Sequence, residues 1–351
     1  MNENRLVDII TRFPAIRIAV LGDFFLDRYW DIDPQRDEPS LETGLTAYQI
    51  VGRRESPGAA GTVVNNLAAL GIGKIFAVGF VGQDGEGNVL ETCLDRLGVD
   101  RTFLTSTSER FTPCYTKPMR SDVEMNRFDI KNRTPTPESL QRRLVESLRA
   151  VAPMVDAVMV MDQVSEENAG VVTESVRETL AELGRSSSAL LLYADSRERI
   201  GLFREMIIKC NDRELAEQFG VHGSENVPPI EDLHACGAEM SRRTGRCVFV
   251  TLGGRGQLVI DPSPEQGGAE SMNSEPTIMH VPAFTVDGPI DIVGAGDATS
   301  SGLVGALCAG ATPVEAATLG NLAASVTIRK LGCTGTATPD ELVSALRAAS
   351  G

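Results

Sequence analysis

Histidines and paired cysteines are scarce in this chain of 351 residues. The three histidines, at positions 222, 234 and 280, lie far apart, and none of the seven cysteines belongs to a C-x-x-C pair. Zinc sites are built from closely spaced cysteine and histidine ligands. The sequence therefore predicts neither a zinc site nor a histidine-based catalytic dyad. An odd number of cysteines without a pairing pattern is typical of reduced thiols in a cytoplasmic protein.

Positive charge is also in short supply. The chain has 33 Lys and Arg against 48 Asp and Glu, which gives a net charge of −15. An acidic surface argues against nucleic acids and anionic membranes as partners. No apolar run reaches the length of a membrane span, and residues 1–5 contain no apolar signal region. We therefore expect a soluble, cytoplasmic protein in which a phosphate-bearing ligand needs local N–H donors, cations or a metal ion.

Two widespread nucleotide-binding motifs are missing. The sequence has no G-x-x-x-x-G-K-[ST] loop, and no predicted strand is followed by G-x-G-x-x-G. The first absence argues against a P-loop nucleotide triphosphatase, and the second against a dinucleotide-dependent dehydrogenase.

What the chain does contain is an alternation of apolar strands with helical patterns. We predict strands at residues 16–21, 75–81, 155–161, 189–194, 206–210 and 247–251. Helices are predicted at 61–70, 86–97 and 137–150, the last with Thr136 as N-cap and Pro137 as its first residue. Further helices follow the capping-box patterns at 312–315 and 338–341. Continuous apolar strands between helices indicate an α/β fold with a mostly parallel sheet, flanked by helices on both faces.

Short polar residues or glycines follow these strands at their C-terminal ends. They are Asp23, Asp84, Asp162, Asp195, Asn211 and Gly253. In open α/β sheets, ligands bind along this edge. The alternative is that polar residues simply end strands, which explains any one of them more easily than six.

Two segments interrupt the alternation, at about residues 30–56 and 101–130. Both show strand-like alternation with prolines and charges. We interpret them as a small β-sheet lid inserted in a single domain that spans residues 1–351. Such a sheet can cover a binding site, and its exposed face can form a dimer contact.

Residues 291–299 (Asp-Ile-Val-Gly-Ala-Gly-Asp-Ala-Thr) form the most informative stretch. Two glycines and an aspartate precede a long helical pattern, so backbone N–H groups and a carboxylate meet at a helix N-terminus. The N–H groups favour an anion. A carboxylate beside an anion makes chemical sense if it accepts a proton from a hydroxyl while the N–H groups hold a phosphoryl group. The alternative is an ordinary glycine turn with aspartate as a helix-start residue.

Five motifs in order resemble the PfkB, or ribokinase-like, carbohydrate kinases. They are Pro-Gly-Ala-Ala at 57–60, Gly-Gln-Asp-Gly-Glu-Gly at 82–87, Asn-Asp-Arg-Glu at 211–214, Thr-Leu-Gly-Gly-Arg-Gly at 251–256 and Gly-Ala-Gly-Asp at 294–297. Residues 27–30 and 329–334 look closest to the kinase domain of the bifunctional heptose-phosphate kinase/adenylyltransferase. The adenylyltransferase part has no counterpart in these 351 residues.

The resemblance implies a ribokinase-like fold and a role for each motif. Asp297 would be the base, with N–H groups from Gly294, Ala295 and Gly296 on the transferring phosphate. Asn211 and Glu214 would orient Mg²⁺, although a plain helix-start pair is the alternative. The residues assigned to the ATP side are Thr251, Gly253, Gly256, Asn321, Asp195 and Arg197. For Asn321, an exposed helix residue is an equal alternative.

On the sugar side, the resemblance points to Asp23, Asp27, Gly58, Ala59 and Lys117. Lys117, Arg120 and Arg197 are candidate cations for a phosphate, although ordinary surface positions are the alternative. Trp30 either stacks on the sugar or packs at the root of the lid. Three positions depart from the family pattern: Ala59 replaces a glycine, Thr62 an asparagine and Val293 a threonine.

The predicted activity is ATP-dependent phosphorylation of a sugar or sugar phosphate, with a heptose 7-phosphate as the best guess. Another sugar or a nucleoside as the acceptor, and a non-catalytic sugar- or nucleotide-binding relative, are the alternatives. A homodimer through the small β-sheet and a monovalent cation are further expectations from the resemblance.

Overall fold

The computed structural model describes residues 1–121, 123–221, 228–262, 275–332 and 334–350. Cys333 and most of the segments 220–229 and 262–276, which the sequence indicates to be polar loops, lie outside these ranges. The other six cysteines are free thiols.

The elements follow one another along the chain in the alternation that the sequence predicts. The helices are α1 (Glu3–Ile10), α2 (Ala60–Ala69), α3 (Gly85–Arg96), α4 (Glu138–Val151), α5 (Glu174–Ser186), α6 (Asp212–Gln218), α7 (Ile230–Thr244), α8 (Ala295–Cys308), α9 (Pro313–Thr327) and α10 (Pro339–Ser350). The strands are β1 (Arg17–Gly22), β2 (Phe24–Ile32), β3 (Glu38–Pro39), β4 (Thr46–Ala47), β5 (Ile50–Ala59), β6 (Lys74–Gly82), β7 (Asp100–Thr107), β8 (Cys114–Arg120), β9 (Val123–Glu124), β10 (Phe128–Ile130), β11 (Ala157–Asp162), β12 (Leu191–Ser196), β13 (Ile207–Asn211), β14 (Val248–Thr251), β15 (Gln257–Asp261) and β16 (Thr277–Val281).

The described residues form a main sheet in the order β16-β15-β14-β13-β12-β11-β1-β6-β7. From β14 to β7 in this order, each strand pairs in parallel with the next. The pairs that β15 forms with β14 and with β16 are antiparallel. The C-terminal ends of the parallel strands therefore share one edge, which we call the rim. This confirms the predicted fold class.

Helices cover both faces of the sheet. Ile18 and Val20 of β1 pack into a core with residues of α1, α2, α3, α8, α9 and α10. Ala19 and Leu21, which alternate with them, pack into a second core with α4, α5, α6 and α7. Because successive side chains of a strand point to opposite faces, a buried strand needs apolar residues at every position. For this reason the strands could be predicted from continuous apolar runs in the sequence.

The predicted start of α4 is wrong by one residue. Pro137 is the N-cap and the helix begins at Glu138. Thr136 does not cap the helix, because its hydroxyl donates to Gly170 O at 2.7 Å. The two predicted capping boxes are confirmed. At the start of α9, the side chains of Thr312 and Glu315 each accept a hydrogen bond from the backbone N–H of the other residue. Thr338 and Glu341 do the same at the start of α10.

A small second sheet, the lid, has the order β10-β8-β2-β5, with β9 paired to β8. Its extent differs from the prediction in two respects. The lid begins at Phe24 rather than at residue 30. The segment that follows residue 100 first forms β7, an edge strand of the main sheet paired with β6. As an edge strand, β7 is only partly buried and contains several polar residues, so its sequence resembled that of a lid strand.

In the described part of the chain, no helix combines the length and apolar character that crossing a bilayer requires.

Candidate active site

The N-terminus of α8 opens on the rim through a glycine turn. Gly294 has φ 80°, in the left-handed region that favours glycine, and a Cβ atom there would lie 2.6 Å from Thr334 Cγ2. The N–H of Ala295 donates to Ile292 O at 3.1 Å, so this amide is already used within the turn. The amides of Gly296 and Asp297 make no hydrogen bond outside the helix to the described residues. They are therefore the donors that the first turn offers to an anion.

Asp297 lies on the first turn of α8 and remains partly exposed. Burial of its carboxylate and the negative charge of Asp195 raise the pKa of Asp297 to about 7, against the opposing charges of Lys209 and Arg197. A carboxylate with a pKa near neutrality accepts a proton more readily than an ordinary aspartate does. The position and the pKa of Asp297 therefore suit a general base.

A buried ion pair lies beneath this turn. Lys209 Nζ of β13 donates to Asp195 Oδ2 of β12 at 2.8 Å, and both side chains are buried. Ser300 of α8 donates to the same oxygen at 3.3 Å and accepts from Tyr193 Oη at 2.6 Å. Burial lowers the pKa of Lys209, but the charges of Asp195, Tyr193 and Glu214 outweigh it and hold this pKa above its ordinary value.

Asn211 and Glu214 form a reciprocal capping box at the start of α6. Asn211 Oδ1 accepts from the Glu214 N–H at 2.8 Å, and Glu214 Oε2 accepts from the Asn211 N–H at 2.8 Å. This leaves Glu214 Oε1 without a hydrogen bond to the described residues. Burial and the charge of Asp195 raise the pKa of Glu214 to about 7. The helix-start interpretation is thus realised, and one carboxylate oxygen is still available to a cation.

The donor set at α6 is compatible with magnesium. Mg²⁺ takes oxygen ligands and is commonly bound through one or two carboxylates together with substrate phosphates and water. Among the described residues, no three His, Cys, Asp or Glu side chains come together as a metal-binding group. Glu214 would therefore act with phosphate and water oxygens rather than as part of a complete protein cage.

The motif at 251–256 forms the hairpin that connects β14 to the antiparallel β15. Gly253 and Gly256 both have positive φ, at 58° and 93°. A Cβ atom on Gly256 would lie 2.1 Å from Val281 O, so the neighbouring backbone requires glycine there. Thr251 Oγ1 donates to Cys210 O at 3.4 Å. The two glycines therefore form the tight turn of this hairpin.

Asn321 on α9 is buried, which contradicts the alternative that it is an exposed helix residue. Its amide donates to Val281 O and Pro282 O and accepts from Gln257 Nε2 at 2.6 Å. These bonds use its donors within the protein, so Asn321 shapes the β16 end of the rim and offers little to a nucleotide.

Asp27 on β2 lies inside the lid against the glycine turn of β5. A Cβ atom on Gly58 would lie 2.3 Å from Asp27 Oδ2, so a side chain at this position would displace the carboxylate. On the neighbouring β8, Lys117 Nζ lies 3.3 Å from Asp27 Oδ1 and donates to Tyr29 Oη at 3.1 Å. Lys117 is therefore half-buried beside Asp27 and is not an ordinary surface cation.

A cavity lies at the root of the lid, between the start of β2 and the loop that follows β11. Its lining includes Phe25 and Tyr115, whose rings meet edge to face at 5.3 Å, together with Gln163 and Arg197. An aromatic wall with a few polar groups is a common setting for a small ligand. Tyr115 and Gln163 were not singled out from the sequence, because neither belongs to a motif.

Three of the aspartates at the rim brace the structure. Asp23 accepts from the N–H groups of Val171 at 2.7 Å and Gln163 at 3.1 Å, and burial and the charge of Asp162 raise its pKa to about 6. Asp84 caps α3 and accepts from Thr112 N–H. Asp162 pairs with Arg199 at 2.8 Å. The polar residues converge on the rim as predicted, and Asp23, which also lines the cavity at the root of the lid, accepts one backbone hydrogen bond on each carboxylate oxygen.

Three further residues that the sequence suggested are Arg197, Arg120 and Trp30. Arg197 follows β12, is exposed and lowers the pKa of Asp297 and Glu214. Arg120 pairs with Asp37 at 2.6 Å in the outer part of the lid. Trp30 is three residues from Asp27 on β2, so strand alternation places them on opposite faces.

The two departures in the glycine turn have visible structural effects. Ala59 has φ 53° and ψ −118°, a backbone conformation that favours glycine. Thr62 is buried on the first turn of α2, with its methyl group 3.8 Å from where a Cβ on Gly294 would lie. Thr62 therefore packs the α2 terminus against the α8 terminus.

Lys209 is the main residue that sequence reasoning missed. A signal was present, since a lysine within the apolar run 206–210 is costly to bury without a partner. Neither Asp195 nor the α8 turn is close to it in sequence, so the pairing became visible only in the fold.

Comparisons with known proteins agree with this architecture. A family model described as pfkB family carbohydrate kinase matches residues 25–341. Curated relatives named Bifunctional protein HldE include one from Caulobacter sp. (strain K31), 29% identical over 342 residues, which are 97% of this chain and 65% of the relative. Another, from Desulfatibacillum aliphaticivorans, is 28% identical over 95% of this chain and 63% of its own length. The chain thus spans just under two thirds of these relatives.

Solved structures share the fold at low identity. Phosphofructokinase-2 from Escherichia coli in complex with potassium has a TM-score of 0.71 at 18% identity, covering 96% of this chain and 100% of that one. Ribokinase from Thermotoga maritima has a TM-score of 0.65 at 18% identity, covering 95% and 99%. At these identities the likeness shows the ribokinase-like fold alone.

Proposed function

Because this chain belongs to the pfkB family of carbohydrate kinases, we propose that it transfers the γ-phosphate of ATP to a hydroxyl of a sugar phosphate, with Asp297 as the base. The observation that carries the proposal is the α8 turn. In this turn, at the rim of the sheet, the Asp297 carboxylate, with a pKa of about 7, lies beside the unengaged amides of Gly296 and of Asp297 itself.

The proposed step uses the two groups of this turn in different ways. Asp297 accepts the proton of the acceptor hydroxyl while the oxygen of that hydroxyl forms a bond to the γ-phosphorus. The bond from that phosphorus to the bridging oxygen breaks, and ADP leaves with the electron pair. The amides of Gly296 and Asp297 hold the transferring group by charge-assisted hydrogen bonds, which act mainly through positioning and electrostatics.

Asn211 and Glu214 are proposed to serve the metal. When bound, Mg²⁺ would offset the charge of the ATP phosphates. Asn211 caps α6 and thereby holds Glu214 with its free oxygen, Oε1, available at the rim. Thr251, Gly253 and Gly256 are proposed to border the nucleotide on the same side.

For the acceptor, we propose a phosphorylated sugar bound between the lid and the rim, with Asp27 accepting its hydroxyl groups. A heptose 7-phosphate is the best candidate, supported by the similarity to the relatives named Bifunctional protein HldE over nearly the whole chain. Ala59 and Thr62 alter the glycine turn of this pocket, which keeps another sugar or a nucleoside as the alternative acceptor.

A non-catalytic binding protein is the second candidate function, since a kinase fold can lose its chemistry and keep its ligands. Here Asp297, Asn211 and Glu214 are all present, and two of them have a pKa near neutrality. This combination favours the catalytic proposal.

We also propose a homodimer through the lid. Several apolar side chains of the lid are exposed, and the most exposed of those on its strands are Val51 at 53%, Val123 at 67% and Phe128 at 62%. A cluster of exposed apolar groups on one small sheet is typical of a protein contact.

The substrate proposal is tested by measuring ADP release from Mg-ATP with a panel of heptose, hexose and pentose phosphates, free sugars and nucleosides. Each assay is run with and without potassium, since a solved neighbour binds it. We expect turnover with a sugar phosphate and at least tenfold less with the same sugar unphosphorylated. Turnover only with a free sugar or nucleoside would refute the substrate class, and saturable ligand binding without turnover would favour the binding protein.

A further inference from the structure

Lys209 is a buried lysine for which the proposed step so far has no use. Its side chain is buried in the middle of the main sheet, although burying an ammonium group costs several kcal/mol unless partners offset it. An ammonium group carries three donors. Among the described residues it has one hydrogen-bond acceptor, Asp195 Oδ2 at 2.8 Å.

The position of this ammonium group is defined by the α8 turn. A Cβ atom on Gly296 would lie 3.3 Å from Lys209 Nζ, so the charge lies directly beside the second glycine. A Cβ atom at position 296 would make a tight contact with Nζ and shift it by a few tenths of an ångström. Glycine at this position therefore leaves the space between the amides and the ammonium group open.

Lys209 lies close to the residues of the proposed reaction. It is two residues before Asn211 at the end of β13, and its ammonium group lies beside Gly296, the residue before Asp297. The ammonium group therefore lies next to the turn whose amides are proposed to hold the phosphoryl group.

We propose that Lys209 is a catalytic residue, whose ammonium group donates to the phosphoryl group held at Gly296 and Asp297 during transfer. The inference rests on the proposed kinase function and adds a residue to its machinery. Asp195 is the positioning residue, fixed in turn by Ser300 and through it by Tyr193. Lys209 makes no covalent bond and its proton stays in place; it offsets the charge that spreads over the phosphoryl oxygens.

The same pair has a purely structural alternative, in which Lys209 and Asp195 only neutralise each other. A double variant separates the two interpretations. Lys209→Met/Asp195→Asn removes both charges together, so it avoids the unpaired buried carboxylate that Lys209→Met alone would leave. Asp195→Asn alone reports the effect of the positioning residue.

Turnover is the first measurement. We expect Lys209→Met and the double variant to lose about 10²–10³-fold in kcat, the range for removing one group that stabilises transition-state charge. The control is Lys74→Met, since Lys74 also pairs with an aspartate of the neighbouring strand, Asp100, at 2.7 Å, but in a more exposed position at the far end of the same sheet. The control should stay within about threefold of wild type. A double variant within threefold of wild type would overturn the proposal.

Nucleotide affinity is the second measurement and does not require turnover. The Kd values of β,γ-methylene-ATP and ADP are measured with Mg²⁺ by calorimetry. Lys209→Met and the double variant should weaken the triphosphate at least tenfold more than ADP, because only the triphosphate carries the transferring group. Equal weakening of both nucleotides would assign Lys209 a structural role.

This design also separates the inference from the kinase proposal. If no acceptor is phosphorylated by the wild-type protein, the kinase proposal fails while the affinity ratio still decides the role of Lys209. If Lys209→Met does not fold, as judged by its thermal transition, the double variant carries both measurements.

Discussion

Four charged side chains set the chemistry at the rim: Asp297, Glu214, Asp195 and Lys209. Asp195 raises the pKa of both neighbouring carboxylic acids, and Lys209 lowers both. Burial is the largest cause of the two raised values. In the proposed reaction, an acid with a pKa near 7 serves proton transfer and an ammonium group that stays charged serves charge compensation.

The raised pKa of Asp297 predicts an acid limb in the pH profile. The base must be ionised to accept a proton, so protonation below a pKa of about 7 removes it. We expect kcat/KM to fall about tenfold per pH unit well below pH 7 and to level off above pH 8. ADP release measured from pH 5.5 to 9, with coupling enzymes in excess at every pH, checks this. A rate that stays constant down to pH 5.5 would contradict the assignment.

At the scale of elements, the junction between β5 and α2 stores backbone strain at Ala59. A non-glycine residue in such a conformation costs about 1–3 kcal/mol, whereas glycine tolerates it. Replacing Ala59 with glycine would remove this cost. Part of the gain in stability would be offset, by about 0.4–1 kcal/mol, because glycine has more conformational freedom in the unfolded chain.

Ala59→Gly is therefore expected to raise the free energy of unfolding by about 1 kcal/mol. Chemical denaturation at pH 8 measures it, and Ala69→Gly, in the last turn of α2, is the control that should destabilise. A lower denaturation midpoint for Ala59→Gly would show that the turn is not strained.

The sequence predicted elements well where their pattern had one cause. The buried strands could be predicted because both faces of the sheet are covered. The glycine turn at 294–297 could be predicted from residue types alone. Strand β7 was misassigned to the lid because, as a partly buried edge strand with several polar residues, it resembles a lid strand in sequence. The committed hydrogen bonds of Asp23 and the pairing of Lys209 depend on segments distant in sequence, so no local pattern reveals them.

On the scale of the whole molecule, the lid is held on the main sheet by β2, which leaves the end of β1 and enters the small sheet directly. The outer lid has little core of its own, and its exposed apolar residues lie on both β5 and the β8–β10 region. A second copy of the chain would remove these side chains from water, which is favourable in proportion to the apolar area buried.

Sedimentation velocity at micromolar protein tests this expectation. We expect a dimer for the wild type, and a shift toward monomer for Val51→Glu/Phe128→Glu, because each glutamate places a charge in the contact. Met154→Glu is the control, since Met154 is exposed at 41% but lies outside the lid. A wild-type monomer at this concentration would contradict the dimer.

The central claim is that Asp297 removes the proton of the acceptor hydroxyl. Single-turnover phosphoryl transfer by Asp297→Asn, with the acceptor found in the panel, tests it most directly. We predict a loss of about 10²–10⁴-fold in rate, with Kd values for Mg-ATP and acceptor within threefold of wild type. The folded pKa of Asp297, about 7, lies above the ordinary value of an aspartate, about 3.9, so the ionised carboxylate costs stability increasingly as pH rises from about 4 to 7. The asparagine variant should therefore unfold at no lower temperature than wild type at pH 8. A correctly folded Asp297→Asn protein that transfers phosphate within tenfold of the wild-type rate would contradict the account.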